Sequence, residues 1–196
     1  MEIIDEVMTF IGWMFTIISV MSSIWFYIRK RKGISWRGVK RGIKELAKKV
    51  EQIKPDYIIT FSGRGAIVCS LTVTELDNKY PVYMCLLKRR YNDVFLNPQN
   101  WTCFDTSKWT IFVPDEVLNF KNKKILIIDD ITNSGETIEK LTQHLVKNGI
   151  NKKNLFSMAL IANEDVLSRI HIPQEYWKKA NISEYSVPWG KTEIKN

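Results

Sequence analysis

The run ILIIDDITNSGETI, residues 125–138, sets branched aliphatics directly against two aspartates and then a short polar loop. Ionised Asp129 and Asp130 are acceptors only, and the vicinal hydroxyls of a sugar are donors that one carboxylate accepts in pairs. Thr132, Asn133, Ser134, Gly135, Glu136 and Thr137 follow. If they join a strand to a helix, the first-turn N–H groups have no intrahelical partner and stand at the positive end of the helix dipole. Gly135 lets the backbone approach a ligand closely, and Ser134 and Thr137 add hydroxyl donors. An anion cradle beside a diol-binding acid pair suits a 5-phosphorylated ribose. The cradle has no lysine and does not match GxxxxGK[ST], which argues against a P-loop nucleotidase. A second candidate anion loop, Ser62, Gly63, Arg64 and Gly65, offers backbone N–H groups and a guanidinium that could hold a pyrophosphate. The same acid pair also allows a plain polar strand end with no ligand.

Both loops need a scaffold. Val39, Ile43, Leu46, Val50 and Ile53 recur at helical spacing, with Ser35 as N-cap and Pro55 as the stop. Residues 57–61 read as a strand, SGRG as a loop, and the next segment as a helix with Ile67, Leu71 and Leu76 toward the sheet. Residues 81–87 read as a second strand, 123–130 as a third, and 154–162 as a fourth. The helix after the third strand buries Ile138, Leu141 and Leu145 and stops at Gly149. Between residues 88 and 121 no period holds, so a long excursion with one short hairpin is expected, of the kind that forms lids. A tail of mixed structure ends in SVPWGK. The expected fold is α/β, a mostly parallel twisted sheet with helices on both faces. Ligands of such sheets sit at the carboxyl ends of the strands, where both glycine-bearing loops fall.

Of 196 residues, 29 are basic and 21 acidic, a net charge of +8. The excess is local: residues 29–49 hold ten basic side chains against Glu45, while 50–196 are nearly neutral. A nucleic-acid binder needs its charge on the folded domain, so nucleic acid is not the expected ligand. Cys69, Cys85 and Cys103 are odd in number and lack metal-like spacing, which reads as reduced thiols. Residues 7–28 carry no charge and as a helix would reach roughly 33 Å, enough for a bilayer core. The flank before them is acidic and the flank after them, RKRK, is basic. The expectation is one transmembrane helix with its N-terminus outside and the rest cytosolic, at the plasma (inner) membrane. That divides the chain into an anchor with basic flank, 1–32, and a cytosolic domain, 33–196. The basic stretch would be drawn to anionic lipid.

LIIDDITNSGET resembles the ribose-phosphate loop of type I phosphoribosyltransferases, and the order of elements around it is similar too. The segment with Arg64 and Gly65 looks like that family's pyrophosphate loop, and SVPWG is similar to the Pro-Trp element of its xanthine-guanine branch. The resemblance spans about Ser35 to Lys191. It implies displacement of pyrophosphate from phosphoribosyl pyrophosphate (PRPP) by a nucleobase nitrogen through an oxocarbenium-like transition state. It implies Asp129 and Asp130 as catalytic groups and as direct or indirect holders of Mg²⁺, residues 132–137 on the 5-phosphate, and Ser62–Gly65 on the pyrophosphate. It also implies Asn163, Pro188 and Trp189 at the base, and a homodimer or larger assembly. The excursion 88–121 would be the family's mobile loop. Trp189 and Trp177 are candidates to stack on a base, and His144 and His171 read as structural. Three residues depart from the pattern. Ala66 stands where the pyrophosphate loop has a second glycine, Asn133 where 6-oxopurine enzymes have an aspartate, and Asn163 where they have a lysine. An amide is no general base at neutral pH, so the sugar-phosphate half looks intact and the base half altered. The rival expectation is a non-catalytic module that senses PRPP or a nucleotide, as a membrane effector in bacterial stress or antiviral defence.

Overall fold

The computed structural model describes residues 2–29, 33–90, 99–181 and 186–191, with side chains of 2–11, 26–29 and 191 left aside. Residues 30–32 of the expected basic flank and 91–98 of the expected mobile loop lie outside the described residues. The chain divides into two compact units: Met1–Ile34 with Ser183–Asn196, and Ser35–Ile182.

The larger unit opens with helix α2 (Trp36–Ile53). Ser35 Oγ accepts the Gly38 N–H at 3.3 Å, and Lys54 turns left-handed at φ 51° before Pro55, so cap and stop fall where the sequence puts them. Its buried stripe is Val39, Gly42, Ile43, Leu46, Ala47 and Val50. Strand β1 (Tyr57–Phe61), helix α3 (Arg64–Thr74) and strand β2 (Val82–Arg89) follow. Next come a hairpin, β3 (Trp101–Asp105) and β4 (Trp109–Pro114), and a short 3-10 turn (Asp115–Asn119). Strand β5 (Ile125–Thr132), helix α4 (Glu136–Lys147), strand β6 (Leu155–Asn163), helix α5 (Glu164–Ile170) and strand β7 (Glu175–Ala180) complete it.

The sheet runs β3-β4-β2-β1-β5-β6-β7. The five strands from β2 to β7 are parallel, and β4 and β3 extend the β2 edge antiparallel. Chain order reverses between β1 and β5, since β1 leads to β2 on one side and β5 to β6 on the other. Such a switch point is where this architecture binds ligands. Alternate residues of the central strands serve the two faces. Ile59, Phe61, Ile125 and Ile127 join Ile138, Leu141 and Leu145 of α4 in one core. Full burial of each such side chain contributes about 1.5–3 kcal/mol.

One expectation changes and two are made specific. The buried face of α3 is Gly65, Val68, Cys69 and Thr72, not Ile67, Leu71 and Leu76. Apart from Val68 these buried residues are small or polar, because α3 lies close on the sheet, and apolar spacing does not find such a face. The expected hairpin of the excursion is β3–β4, and it joins the main sheet at the β2 edge. The tail contributes a fifth parallel strand, β7.

In the smaller unit, helix α1 runs Glu2–Arg29. Every side chain described in it, from 12 to 25, is exposed, including Trp13 at 67% and Phe15 at 71%. Among the described residues no helix is long and apolar enough to cross a membrane. The stretch 12–25 is itself shorter than the ~20 residues a span needs. Strands β8 (Ser186–Val187) and β9 (Gly190–Lys191) form a two-stranded hairpin with Pro188 and Trp189 at its turn. Gly33 bridges Ser186, and the Ile34 N–H donates to the Ser186 carbonyl at 2.9 Å.

Candidate functional site

The β1–β5 register stops at Thr60↔Ile128, while β5–β6 pairing continues through Asp129↔Ala159 to Thr132↔Ala162. The two strands therefore part at the acid pair. Ser62, the first residue past β1, donates its N–H to the Cys85 carbonyl at 2.8 Å, and its Oγ accepts the Leu87 N–H at 2.9 Å. Both bonds stitch the turn to β2. Gly63 takes the left-handed turn at φ 85°, and α3 begins at the exposed Arg64. Only Ser62 and Gly63 are loop, a shorter loop than SGRG suggests. Ala66 is helical and carries no positive φ, so its Cβ strains nothing.

Gly65 joins the two motifs. A Cβ there would lie 2.9 Å from Asp129 Oδ1 and 3.3 Å from Thr60 Oγ1. The helix can approach the carboxylate this closely only without a side chain. Asp129 Oδ1 accepts the Asp130 N–H at 2.8 Å, and Thr60 Oγ1 donates to the Ile128 carbonyl at 3.0 Å. Burial, and then the neighbouring charge of Asp130, push the Asp129 carboxyl well above the usual carboxylate range. A carboxyl that resists ionisation is relieved by a cationic ligand or by hydroxyl donors.

The second loop follows directly. Thr132 ends β5 as a buried hydroxyl with no hydrogen-bond partner, the kind of group a ligand satisfies. Asn133 is half-buried, and its carbonyl accepts Asn163 Nδ2 at 2.9 Å. Ser134 Oγ accepts the Glu136 N–H at 3.3 Å. Gly135 caps α4 at φ 75°, and a Cβ on it would meet Ile170 Cδ1 at 2.6 Å. Thus α5 supports the loop and demands glycine twice over. Thr137 is half-buried in the first turn of α4. The Glu136 carboxylate turns to the β3–β4 hairpin, where it accepts the Ser107 N–H at 2.7 Å and the Ser107 hydroxyl. Those bonds hold its pKa below the ordinary value, with Lys140 and Lys108 adding to the effect.

Other candidates fall elsewhere. Besides its bond to Asn133, Asn163 caps α5, its Oδ1 accepting the Asp165 N–H at 3.2 Å. Its amide thus makes one hydrogen bond at each end, which ties the turn after β5 to the start of α5. Trp177 packs on Gly42, where a Cβ would lie 2.6 Å from its ring, and is a packing residue. Pro188 and Trp189 belong to the smaller unit. His144 is structural but not unpartnered: Nε2 lies 3.1 Å from Thr102 Oγ1 and the ring stacks on Phe104 at 4.8 Å. Cys69 and Cys85 are buried, their thiols pushed up to about 12 by burial, and Cys103 is exposed. Sequence reasoning missed Ser107, which lies 29 residues from Glu136 in a segment without period.

Among the described residues no three His, Cys, Asp or Glu side chains cluster as a metal cage. Two hard carboxylates beside a loop that opens a helix N-terminus match the donor set of Mg²⁺, which takes one or two carboxylates and completes its shell with substrate phosphates and water.

The fold has known counterparts. The purine phosphoribosyltransferase of Pyrococcus horikoshii Ot3 superposes with a TM-score of 0.59 at 20% identity, over 84% of this chain and 97% of that one. The xanthine-guanine-hypoxanthine phosphoribosyltransferase of Helicobacter pylori gives 0.56 at 21%, over 81% and 92%. A Neisseria gonorrhoeae protein with bound ppGpp gives 0.54 at 18%, over 83% and 92%. No curated protein sequence matches. The family model described as "Phosphoribosyl transferase domain" matches residues 35–178, most of the larger unit with both loops and the acid pair, and the chain belongs to that family.

Proposed function

We propose that the chain is a membrane-anchored phosphoribosyltransferase that transfers phosphoribose from PRPP to a nucleobase-like acceptor and releases pyrophosphate. The observation that carries this reading is the approach of Gly65 to Asp129, which brings the turn after β1 against the acid pair of β5 at the switch point. The 5-phosphate would lie on residues 132–137, with Thr132 Oγ1 free to bond it. The pyrophosphate would lie on Ser62–Gly65, with the Arg64 guanidinium opposing its charge. Asp129 and Asp130 would accept the ribose hydroxyls and face the positive charge that develops on the sugar as the C1–O bond breaks and a C1–N bond forms. The two aspartates would also hold Mg²⁺, which supplies neutralisation of the leaving diphosphate. The test is PRPP turnover with a panel of bases. Turnover that needs Mg²⁺ and vanishes in the double variant Asp129→Asn plus Asp130→Asn is expected. A protein that binds no PRPP refutes the reading.

A second reading has its own support in Asn163. With that amide engaged by Asn133 and the α5 cap, the base half lacks the reader that the resemblance calls for. A sensor that binds PRPP or a guanine nucleotide such as ppGpp without turnover needs no such reader. Tight binding with no product from any base would favour it.

Anchoring rests on the uncharged run 7–28, on the unbroken helix Glu2–Arg29 and on the all-round exposure of residues 12–25. The proposed orientation is N-terminus out and catalytic domain in the cytoplasm, at the inner membrane. Resistance to carbonate extraction, with the C-terminus protected from external protease, is expected; a fully extractable protein refutes it. An effector role in stress or antiviral defence predicts growth arrest on expression that deletion of residues 7–28 abolishes. Val82 and Met84, 44% and 41% exposed on the sheet, offer apolar area to a homodimer, which light scattering in detergent would detect.

A further inference from the structure

The Glu136 side chain is chemically out of place. It is the first residue of α4, in the turn whose N–H groups a phosphate would use. A carboxylate is itself attracted to that helix end. Tethered to the same turn, it would compete at high effective concentration. The structure turns it away: Ser107 puts one donor on each carboxylate oxygen, its N–H on Oε1 at 2.7 Å and its hydroxyl on Oε2.

Ser107 is itself held. Thr106, buried beside it, accepts the Trp109 N–H at 2.8 Å and the Lys108 N–H at 3.3 Å on its Oγ1, and donates its own N–H to the Trp109 carbonyl at 2.7 Å. Further along the hairpin, Thr102 and Phe104 rest on His144 of α4. The hairpin tip is thus a fixed post and not a free loop.

We propose that Ser107 is a positioning residue for the phosphate cradle: it holds the Glu136 carboxylate on the hairpin and keeps an internal anion off the N–H groups of residues 132–137. This rests on the phosphoribosyl reading of that loop, to which Glu136 contributes its backbone and not its charge.

The test is PRPP affinity by calorimetry on the full chain in detergent micelles, with kcat measured alongside if turnover is found. Ser107→Ala should weaken PRPP binding about tenfold, the scale of one partly buried charge at a helix N-terminus, and leave kcat unchanged. Adding Glu136→Gln to Ser107→Ala should restore the affinity, because an uncharged amide does not compete for the cradle. Ser107→Thr keeps both donors and should bind as the wild type does; it serves as the folded comparison if Ser107→Ala melts early. Unchanged affinity in Ser107→Ala, or a loss that Glu136→Gln does not relieve, overturns this inference alone. A wild-type chain that binds no PRPP overturns the phosphoribosyl reading and this inference with it.

Discussion

Gly65→Ala tests the joint between the two loops. The added Cβ would lie 2.9 Å from Asp129 Oδ1, closer than carbon and oxygen tolerate, and it stands on a helix that cannot easily retreat. The carboxylate must turn instead, and its bond from the Asp130 N–H at 2.8 Å is lost or stretched. A hydrogen bond to a charged group contributes about 1.5–3 kcal/mol. An alanine in place of glycine returns up to about 1 kcal/mol through helix propensity. The net destabilisation is then about 0.5–2 kcal/mol, which lowers the melting temperature by about 2–4 °C for each kcal/mol in a chain of this size. Function should fall much further, because a misplacement of about 1 Å in a catalytic group can cost about 100-fold. The assay pairs thermal melting with PRPP turnover, or with PRPP binding if no acceptor is found. A large functional loss with a small shift in melting is the expected signature. Wild-type function in a folded Gly65→Ala protein would refute the claim that this contact positions the acid pair.

Two further perturbations follow from charge. Asp129 has its folded pKa raised, by burial and then by Asp130, so its contribution to stability is full below its unfolded pKa of about 3.9 and is lost as pH rises through the folded value. Asp129→Asn should therefore be more stable than wild type at neutral pH in urea titrations while losing PRPP turnover; equal or lower stability would count against a folded-state cost of ionising Asp129. His144 has its folded pKa lowered, by burial and then by Lys147. Its contribution is present above the unfolded pKa of about 6.5 and is lost as pH falls through the folded value. His144→Gln should flatten the stability profile on the acid side of neutrality, and an unchanged slope there would show that the imidazole is not the titrating group.

Much of the larger unit was legible in the sequence because its signals are local. The aliphatic run before Asp129 has to be a buried strand, Ser35 and Pro55 bracket α2, and Gly135 marks the turn into α4. The donors and acceptors of the acid pair and of the two glycine-bearing loops were readable because residue type alone fixes what donates, what accepts and what carries charge. What the sequence could not hold was distance. The face α3 buries is set by Gly65 lying against Asp129, and small residues leave no apolar period. Asn163 has the composition of a ligand contact, and only the fold shows that it also bonds Asn133 and caps α5. Ser107 acquires a role only when a hairpin strand pairs into the sheet and delivers it to Glu136. Local sequence determined the elements and the chemical character of the site; which groups meet, and so which remain available to a ligand, was decided by packing between segments far apart in the chain.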